Sequence, residues 1–487
     1  MRRENDQIWY EAFRRKDAQF DGRVFVGVKS TGIYCRPVCK ARMPKQENCT
    51  FYTSAAEAEQ AGFRPCLLCR PELAPGRAPI DAATNLVYAA ARKMEENCAS
   101  EESITEIAES LGCSDRHLRR SFMAELHVTP VQYIQTCRLL LARNLLTETS
   151  LSILNVAMTA GFGSLRRFNT LFREKYHATP SDMRRQSRFS EKQTDTITVA
   201  LGYRPPYQWE KLLAFFARRS IPGVEQVQNN AYWRTVYLKS GRHQPLCGWI
   251  KVEHRPGKNS LSVSLSTSLL PALPQVLARV RSMFDLYCDP QTVYEALRPM
   301  NELKPGLCVP GTRLPGCFNV FEMAVRTILG QQVTLKAAQT LAARFIKALG
   351  VPVQTGIDGL THVFPTPETI AHLTEPVENV LGALGITSMR AKAIKLLAEA
   401  LISGHIDLTF CATPEEEIKK LLALPGIGPW TAQYLAMRAM NWPDAFLDTD
   451  YGVKKALEPL PQKEITALRS KWHPWGSYAT INLWNSL

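Results

Sequence analysis

The 487-residue sequence has no long apolar run. No segment approaches the roughly 18 consecutive apolar residues that a transmembrane helix needs. The N-terminal stretch MRRENDQIWYEAFRRKDAQF is interrupted by charge and has no apolar core of signal-peptide length. We therefore expect a cytoplasmic protein that makes no contact with a membrane.

Acidic residues are outnumbered by basic ones. Asp and Glu number 45 against 59 Lys and Arg, which gives a formal net charge of +14 and a pI of about 9.2. Residues 1–190 contribute +7 of this excess, so the positive charge is spread along the chain. A polyanionic partner is therefore expected for both halves. Without further motifs, a basic surface that only keeps the protein soluble is the alternative.

One stretch, Leu424 to Tyr451, predicts two helices joined at a glycine hairpin. Pro425-Gly426-Ile427-Gly428 separates two apolar helical runs, the second of which contains Trp430 and Tyr434. Because Gly426 and Gly428 have no Cβ, the hairpin can bring backbone N–H groups against a DNA phosphate without reading sequence. An ordinary tight turn between helices is the alternative.

Asp450 follows Gly428 by 22 residues, where the next helix should begin. With this spacing the segment resembles the helix-hairpin-helix superfamily of DNA base-excision glycosylases, in which an Asp at this offset is catalytic. In the lyase-competent members a Lys stands two residues after the last hairpin glycine. Trp430 occupies that position here, so the resemblance implies a monofunctional glycosylase that forms no Schiff base with the sugar.

Two close pairs of cysteines stand near the N-terminus. Cys35 and Cys39 are separated by three residues, Cys66 and Cys69 by two, and 26 residues lie between the pairs. Four soft thiolates in two pairs suit tetrahedral zinc. In a protein expected to be cytoplasmic, thirteen cysteines favour metal ligands or buried thiols over disulfides. The spacing leaves a purely structural zinc site as an alternative.

The segments around these cysteines, STGIYCRPVC and GFRPCLLC, resemble the N-terminal domain of Ada-type methyl-phosphotriester repair proteins. The resemblance implies that Cys35 is the nucleophile and that the other three cysteines are supporting zinc ligands. Transfer of a methyl group from a DNA phosphotriester would turn the Cys35 thiolate into a neutral thioether. The site would then repel DNA phosphates less, so damage would raise the affinity for DNA.

A pattern of two short helices joined by a turn occurs twice between residues 104 and 176. In the first copy a turn at Gly112 precedes Ser114, which can cap the next helix. The residues predicted to point inward are Leu118, Phe122 and Met123 in the first copy and Phe168, Leu171 and Phe172 in the second. A proline-rich linker over 71–79 precedes the pair, and a polar boundary over 187–196 follows it.

The repeated unit resembles the AraC-type DNA-binding domain, whose two helix-turn-helix units lie in successive segments of the major groove. An activator of this kind implies RNA polymerase as a further partner. Any one exposed Arg can equally be a solvated surface residue. The protein sequence does not indicate which DNA sequence the domain binds. The candidates for contacts to phosphates or bases are Arg116, Arg119, Arg120, Arg166, Arg167 and Asn169.

From residue 197 onward the chain first predicts strands with intervening helices and then becomes helical. The alternation of Leu261, Val263 and Leu265 predicts one solvated sheet face. The segments PYQW, SMFDL, KPGLCVPGTRLPGC and RTILGQQV resemble AlkA-type 3-methyladenine DNA glycosylases over nearly all of this half.

By position, this resemblance makes Asp450 the catalytic carboxylate. It assigns Trp430, Tyr434 and Trp484 to the pocket for the flipped base. It assigns Gln332 to the position whose side chain fills the space that the flipped base leaves in the duplex. The family pattern has Leu at this filling position, where this chain has Gln332. The family also has Pro-Asp before the catalytic carboxylate, where this chain has Asp448-Thr449, so Asp448 is a rival carboxylate. An aromatic pocket would select alkylated purines by their positive charge. The carbonyls of Leu422, Leu424 and Ile427 match positions that can hold a monovalent cation.

These observations predict a multidomain protein: a small α+β zinc domain (1–74), an all-α double helix-turn-helix domain (80–186), an α+β AlkA N-terminal-like domain (195–287) and an all-α helix-hairpin-helix glycosylase domain (288–487). The expected function is an alkylation-damage response in a monomer that binds double-stranded DNA, senses methyl phosphotriesters and excises alkylated purines. The alternative is a transcription regulator whose glycosylase-like half is an inactive DNA clamp. No segment resembles a Pro-Cys-His-Arg site for O6-methylguanine, so that repair is not predicted.

Overall fold

The computed structural model describes residues 2–76, 85–100, 102–186, 196–239, 245–409 and 413–487. The predicted linker residues 77–79 and the predicted boundary residues 187–195 lie outside these ranges. Within the described ranges, no helix combines the length and the apolar character needed to cross a bilayer.

Residues 2–76 form a small α+β module. Its sheet has the order β3-β1-β2-β4, in which β1 is antiparallel to β2 and β3, and β2 is parallel to β4. Phe13 and Val26 pack against the cysteine side chains in its core. The elements are α1 (Arg2–Arg15), β1 (Phe25–Val28), β2 (Ile33–Cys35), β3 (Cys49–Tyr52), α2 (Ala55–Gln60) and β4 (Arg64–Pro65).

The next module is helical and contains both predicted helix-turn-helix units. Ser114 accepts a hydrogen bond from the N–H of His117 and caps its helix, as predicted, and Ser164 caps the corresponding helix of the second copy. The helices are α3 (Asn85–Glu96), α4 (Ile104–Ser110), α5 (Asp115–Leu126), α6 (Pro130–Glu148), α7 (Ile153–Thr159), α8 (Leu165–Tyr176) and α9 (Pro180–Gln186).

An antiparallel sheet of order β5-β9-β8-β7-β6 follows. Strand β6 was not predicted, because it is a short edge strand rich in Glu and Gln. The expectation of one solvated face is wrong at the start of β9, where Ser260 and Ser262 are buried together with the apolar residues. The elements are β5 (Thr196–Gly202), α10 (Trp209–Ala217), β6 (Glu225–Gln228), β7 (Ala231–Leu238), β8 (Leu246–Arg255), β9 (Ser260–Ser266) and α11 (Leu273–Met283).

The remaining chain is helical apart from one short pair of strands, β10 (Val351–Pro352) and β11 (His362–Val363). Trp472, Trp475 and Tyr478 lie in the core. The helices are α12 (Pro290–Leu297), α13 (Met300–Leu303), α14 (Val320–Leu329), α15 (Leu335–Leu349), α16 (Pro367–Ala371), α17 (Val377–Gly382), α18 (Ser388–Ile402), α19 (Pro414–Leu422), α20 (Pro429–Arg438), α21 (Tyr451–Ala456), α22 (Gln462–Trp472) and α23 (Gly476–Asn485).

The two halves of the chain are in contact, which the sequence had left open. The buried guanidinium of Arg204 donates to the carbonyls of Asp21 and Gly76 in the N-terminal half and of Tyr287 in the C-terminal half, at 2.9 to 3.0 Å. An ion pair of 3.0 Å joins Arg279 on α11 to Glu96 on α3. The apolar core of the second helix-turn-helix unit is also continuous with that of the β5–β9 sheet. Buried polar groups and shared apolar surface therefore hold the halves together.

Candidate functional sites

The four cysteines predicted as zinc ligands converge on one point. Cys35 ends β2, Cys66 follows β4, and Cys39 and Cys69 lie in the turns after them. All four Sγ atoms lie within 4.8 Å of one another, and those of Cys39 and Cys66 are 4.0 Å apart. Tetrahedral zinc with Zn–S bonds near 2.3 Å places its sulfur atoms about 3.8 Å apart. The donor set and its spacing therefore fit one zinc ion.

Backbone donors and the neighbouring module support this thiolate cluster. The N–H of Arg36 donates to Sγ of Cys69 at 3.3 Å, and that of Ala41 to Sγ of Cys39 at 3.5 Å. Arg143 on α6 is 1% exposed and donates to the carbonyl of Cys66 at 2.6 Å. Such outer contacts orient ligands and stabilise their negative charge. The central helix of the helix-turn-helix module thus contacts the turn that carries two of the cysteines.

The helix-turn-helix candidates all lie on exposed positions of α5 and α8. Arg119 also forms an ion pair of 2.7 Å with Asp115 on its own helix. The inward prediction is correct for Leu118, Phe122, Phe168 and Phe172. It is wrong for Met123, which is 46% exposed because it lies beyond the edge of the buried stripe of α5. Leu171 is half-buried.

The glycine hairpin connects α19 to α20, as predicted. Gly426 has φ of +87°, and a Cβ there would lie 3.0 Å from Cβ of Ala393, so both its backbone and its surroundings favour glycine. Gly428 has extended backbone, caps α20, and has open space where a Cβ would lie. The space beside Gly428, at the N-terminus of α20, is therefore open.

Asp450 caps α21 and contacts both candidate tryptophans. Its Oδ2 accepts from Nε1 of Trp430 at 3.0 Å, and its Oδ1 accepts from Nε1 of Trp484 at 2.8 Å and from the N–H of Val453 at 3.1 Å. The rival carboxylate, Asp448, instead accepts a hydrogen bond from Thr466 on α22. The fold thus brings Asp450, and not Asp448, to the two indoles.

The aromatic side chains beside Asp450 form one stack. The rings of Trp430 and Tyr434 are stacked with centroids 5.0 Å apart, and Trp484 lies 6.2 Å from Tyr434. Phe215 on α10 stacks on Trp484 at 6.2 Å. Sequence reasoning missed Phe215, because it belongs to a different domain and lies within an ordinary apolar helix face. The stack therefore combines residues from both C-terminal domains.

Two arginines adjoin the same stack and were also missed. Nη1 of Arg438 donates to the hydroxyl of Tyr434 at 2.7 Å, and the guanidinium of Arg219 lies 3.7 Å from the ring centroid of Phe215. Burial alone would raise the pKa of Tyr434, but the charges of Arg438, Arg219 and Arg326 outweigh it and lower that pKa below its usual value near 10. These cations oppose selection of a base by positive charge alone.

Gln332 lies at the hairpin and outside the aromatic stack. It is exposed, has φ of +52° and follows the end of α14. Its neighbour Gln331 donates through Nε2 to the carbonyl of Gly426 and to Oγ1 of Thr431, both at 3.0 Å. The loop that presents Gln332 is therefore tied to the hairpin.

The four-cysteine cluster, the two helix-turn-helix units and the glycine hairpin with Asp450 are together typical of a DNA-binding protein that has a thiolate metal centre and a base-excision module. The chain matches the metal binding domain of Ada over residues 8–72, a helix-turn-helix domain over 76–186, the AlkA N-terminal domain over 198–319 and the HhH-GPD superfamily base excision DNA repair proteins over 325–465. It is 34% identical to a probable bifunctional transcriptional activator/DNA repair enzyme AlkA of Mycobacterium tuberculosis, over 98% of this chain and 96% of that protein. The chain therefore belongs to the family of fused Ada-type and AlkA-type DNA repair proteins.

Two further relatives each match one half. DNA-3-methyladenine glycosylase 2 of Escherichia coli is 35% identical over 58% of this chain and 95% of its own length. The bifunctional transcriptional activator/DNA repair enzyme AdaA of Bacillus subtilis is 32% identical over 38% of this chain and 85% of its own length. The chain thus combines a zinc-binding helix-turn-helix activator with a DNA glycosylase.

Proposed function

We propose that this protein answers DNA alkylation damage with two activities on double-stranded DNA. Its C-terminal half hydrolyses the N-glycosidic bond of alkylated purines such as 3-methyladenine and 7-methylguanine. Its N-terminal half accepts methyl groups from DNA phosphotriesters on Cys35 and thereby activates sequence-specific binding and transcription. The observation that carries the first activity is the carboxylate of Asp450 bound by the indoles of Trp430 and Trp484.

Base release would proceed on a nucleotide flipped out of the duplex. Unstacking costs a few kcal/mol and is easiest at damaged pairs. The aromatic stack of Trp430, Tyr434 and Trp484 would hold the base, and Gln332 would fill the space it leaves in the duplex. The carboxylate of Asp450 would stabilise the oxocarbenium-like sugar and position the attacking water. Trp430 at the position of a lyase lysine supports a monofunctional glycosylase.

The methyl transfer would be stoichiometric. The Cys35 sulfur would attack the methyl carbon, an S–C bond would form, and the methyl C–O bond would break to leave a phosphodiester. Zinc, held by Cys35, Cys39, Cys66 and Cys69, would keep the sulfur deprotonated at neutral pH. Loss of one negative charge at the cluster would reduce its repulsion of DNA phosphates. The exposed arginines of α5 and α8 would then hold the duplex.

Three further properties belong to this proposal. The activator role implies contact with RNA polymerase, and the protein would act as a monomer. The carbonyls of Leu422, Leu424 and Ile427 would hold a monovalent cation at the hairpin. The carbonyl oxygen of Leu424 already accepts a hydrogen bond from the N–H of Ile427 at 3.1 Å. The cation would therefore bind to the second lone pair of that oxygen.

The test uses duplex DNA carrying methylated purines, with the wild-type protein, Asp450→Asn and Asp448→Asn. We expect the wild type to release free 3-methyladenine and 7-methylguanine, a loss of about a hundredfold or more in Asp450→Asn, and little change in Asp448→Asn. Mass spectrometry of Cys35 after incubation with methyl-phosphotriester DNA tests the second activity. No base release by the wild type would favour the alternative, a regulator with an inactive clamp.

A further inference from the structure

Two arginine side chains hold the turn that carries Cys66 and Cys69. Nη2 of Arg143 donates to the carbonyl of Cys66 at 2.6 Å, and Nη1 of Arg36 donates to the carbonyl of Cys69 at 3.0 Å. The N–H of Arg36 also donates to Sγ of Cys69 at 3.3 Å. Outer contacts of this kind orient metal ligands. They also bring two positive charges to the turn that holds half of the thiolate cluster.

Each of these guanidinium groups has a buried carboxylate as its partner. Arg143 forms an ion pair of 2.7 Å with Glu72, and both side chains are 1% exposed. Nε of Arg36 donates to Oδ1 of Asp21 at 2.8 Å, and its Nη2 donates to Oδ2 of the same carboxylate. Asp21 is 3% exposed. Such a two-point pair fixes the plane of the guanidinium and neutralises its charge.

Asp21 is itself held by the C-terminal half of the chain. Nε of Arg204, whose side chain is 1% exposed, donates to the carbonyl of Asp21 at 2.9 Å. The next residue, Gly22, has φ of +80°, and a Cβ there would lie 1.8 Å from the carbonyl oxygen of Pro75 and 3.3 Å from Nη2 of Arg204. The backbone at this point is therefore closely packed, and it presents the carboxylate of Asp21 to Arg36 from a fixed position.

The charge balance around the cluster affects how readily a sulfur attacks carbon. Four thiolates and one zinc ion together keep about two negative charges, and a metal-bound thiolate is already deprotonated. An unpaired cation beside it would not increase the fraction of thiolate, but it would lower the nucleophilicity of the sulfur. A carboxylate that cancels the charge of Arg36 lets this side chain hold the turn without that loss.

We propose that Asp21, anchored by Arg204, is a positioning residue for methyl transfer to Cys35. It holds the guanidinium of Arg36 on the turn and cancels its charge, so that the cluster keeps the negative charge that makes the Cys35 sulfur reactive. The reactivity of the N-terminal half then depends on an arginine of the C-terminal half. This inference rests on the proposed methyl transfer, in which the S–C bond forms while the methyl C–O bond breaks and the phosphodiester oxygen keeps the electron pair.

The first experiment uses the zinc-loaded full chain and methyl iodide, a small methyl donor that requires no DNA, and follows methylation of Cys35 by mass spectrometry. We expect Asp21→Asn to slow this reaction about 10-fold, because the charge of Arg36 is no longer cancelled. The double variant Asp21→Asn/Arg36→Gln has neither charge and keeps amide donors, so it should react within about threefold of the wild type. Glu47→Gln removes an exposed carboxylate of the same module and should react like the wild type.

These variants separate a charge effect from structural damage. Damage grows with each replacement, whereas the second replacement reverses an effect of charge. A double variant as slow as Asp21→Asn, or an Asp21→Asn variant as fast as the wild type, would overturn the inference and leave the proposed methyl transfer standing. If the wild type accepts no methyl group on Cys35 from methyl iodide or from phosphotriester DNA, the proposed methyl transfer fails and this inference with it.

The second experiment is a spectroscopic one that does not depend on the reaction. In the full chain loaded with cobalt(II) in place of zinc, the sulfur-to-metal charge-transfer absorption reports how readily the sulfur atoms give up electron density. Asp21→Asn should move this absorption to higher energy, since an uncancelled cation stabilises the sulfur electrons. Asp21→Asn/Arg36→Gln should return it toward the wild-type position. An absorption that stays unchanged in Asp21→Asn would contradict an effect of charge on the cluster.

The third experiment tests the anchor in the C-terminal half. Arg204→Met, assayed well below its melting temperature, should slow methylation of Cys35 by methyl iodide about threefold, because the backbone of Asp21 loses its donor. Arg218→Met, at an exposed position of the same domain, should react like the wild type. Equal rates in Arg204→Met and the wild type would show that the reactivity of Cys35 does not depend on the C-terminal half, and would contradict the anchoring role of Arg204.

Discussion

The indole Nε1 of Trp484 donates a hydrogen bond of 2.8 Å to Oδ1 of Asp450. Since Trp430 binds the other carboxylate oxygen, each tryptophan both forms a wall of the aromatic stack and orients the carboxylate. Preorganised charge stabilises a developing cation without the cost of reorienting it during reaction. The two tryptophans are therefore expected to affect the chemical step as well as binding of the base.

Replacing Trp484 with Phe keeps an aromatic face and removes the indole donor. We expect the single-turnover rate of 7-methylguanine release to fall about 10-fold, because one carboxylate oxygen loses its fixed partner. Affinity for the damaged duplex should change less than about threefold. Trp233→Phe, at a tryptophan that packs on Trp249 in the β5–β9 sheet, is the control. Comparable rate losses in both variants would point to a general loss of structure.

Removal of the Cys35 thiol should separate the two activities. Cys35→Ala should abolish uptake of labelled methyl groups from phosphotriester DNA and weaken zinc retention during dialysis against a chelator, because one of four ligands is gone. Base release should stay within about twofold of the wild type, since Asp450 lies in another domain. Cys49→Ala is the control, because Cys49 lies on β3 of the same module, where its thiol donates to the carbonyl of Lys45. Methyl uptake by Cys35→Ala would exclude Cys35 as the acceptor.

The arginines of α8 should contribute to the salt dependence of DNA binding. Replacing Arg166 and Arg167 with Ala should reduce the slope of log K against log salt by about one for each phosphate that the protein no longer neutralises. Titrations of an undamaged duplex at several salt concentrations measure this slope. Arg185→Ala is the control, since Arg185 on α9 is paired with Asp182 at 2.7 Å. An unchanged slope would identify Arg166 and Arg167 as solvated surface residues.

Glu59 should make stability depend on pH. It is 3% exposed and accepts hydrogen bonds from Tyr34 and Thr136 at 3.1 and 3.0 Å, and burial raises its pKa to about 7 from a usual value near 4.5. The folded protein then binds more protons than the unfolded chain between these values, so the free energy of unfolding falls as pH rises from about 4.5 to about 7. The shift corresponds to roughly 3 kcal/mol.

Denaturant unfolding of the wild type, Glu59→Gln and Glu47→Gln at pH 5 to 8 tests this expectation. Glu59→Gln should remove most of the decline in stability with pH, because the amide does not ionise. Glu47 is exposed, and its replacement removes the same charge without affecting a buried group. The explanation fails if the stability of Glu59→Gln declines with pH as steeply as that of the wild type.

Arg204 should stabilise the contact between the two halves. Arg204→Met would leave the carbonyls of Asp21, Gly76 and Tyr287 without this donor, which should cost roughly 2 to 4 kcal/mol. Calorimetry should show a lower melting temperature, and the two halves should unfold in better separated transitions. Arg218→Met, at an exposed position of the same domain, should melt like the wild type. Identical profiles for both variants would show that the association of the halves does not depend on Arg204.

Short-range patterns were enough to find the hairpin, the repeated helix-turn-helix units and the two cysteine pairs. In each case the chemistry depends on residues close together in the chain, or on a unit that occurs twice, and such spacing is visible in one sequence. Met123 was misplaced because helical periodicity gives the direction of a side chain and not the width of the surface that covers it. Strand β6 was missed because its polar residues lack the usual strand pattern.

Sequence alone was sufficient to assign the classes of module, because spacing of cysteines, glycines and apolar residues dictates local structure. It was not sufficient to choose between Asp448 and Asp450, or to find Phe215, Arg219 and Arg438. Contacts between residues far apart in the chain arise when separate elements pack, and no local pattern encodes them. The meeting of the two halves at Arg204 has the same origin, since its partners lie up to 183 residues away. Packing thus decided which groups surround Asp450 and the aromatic stack and which charges act on them.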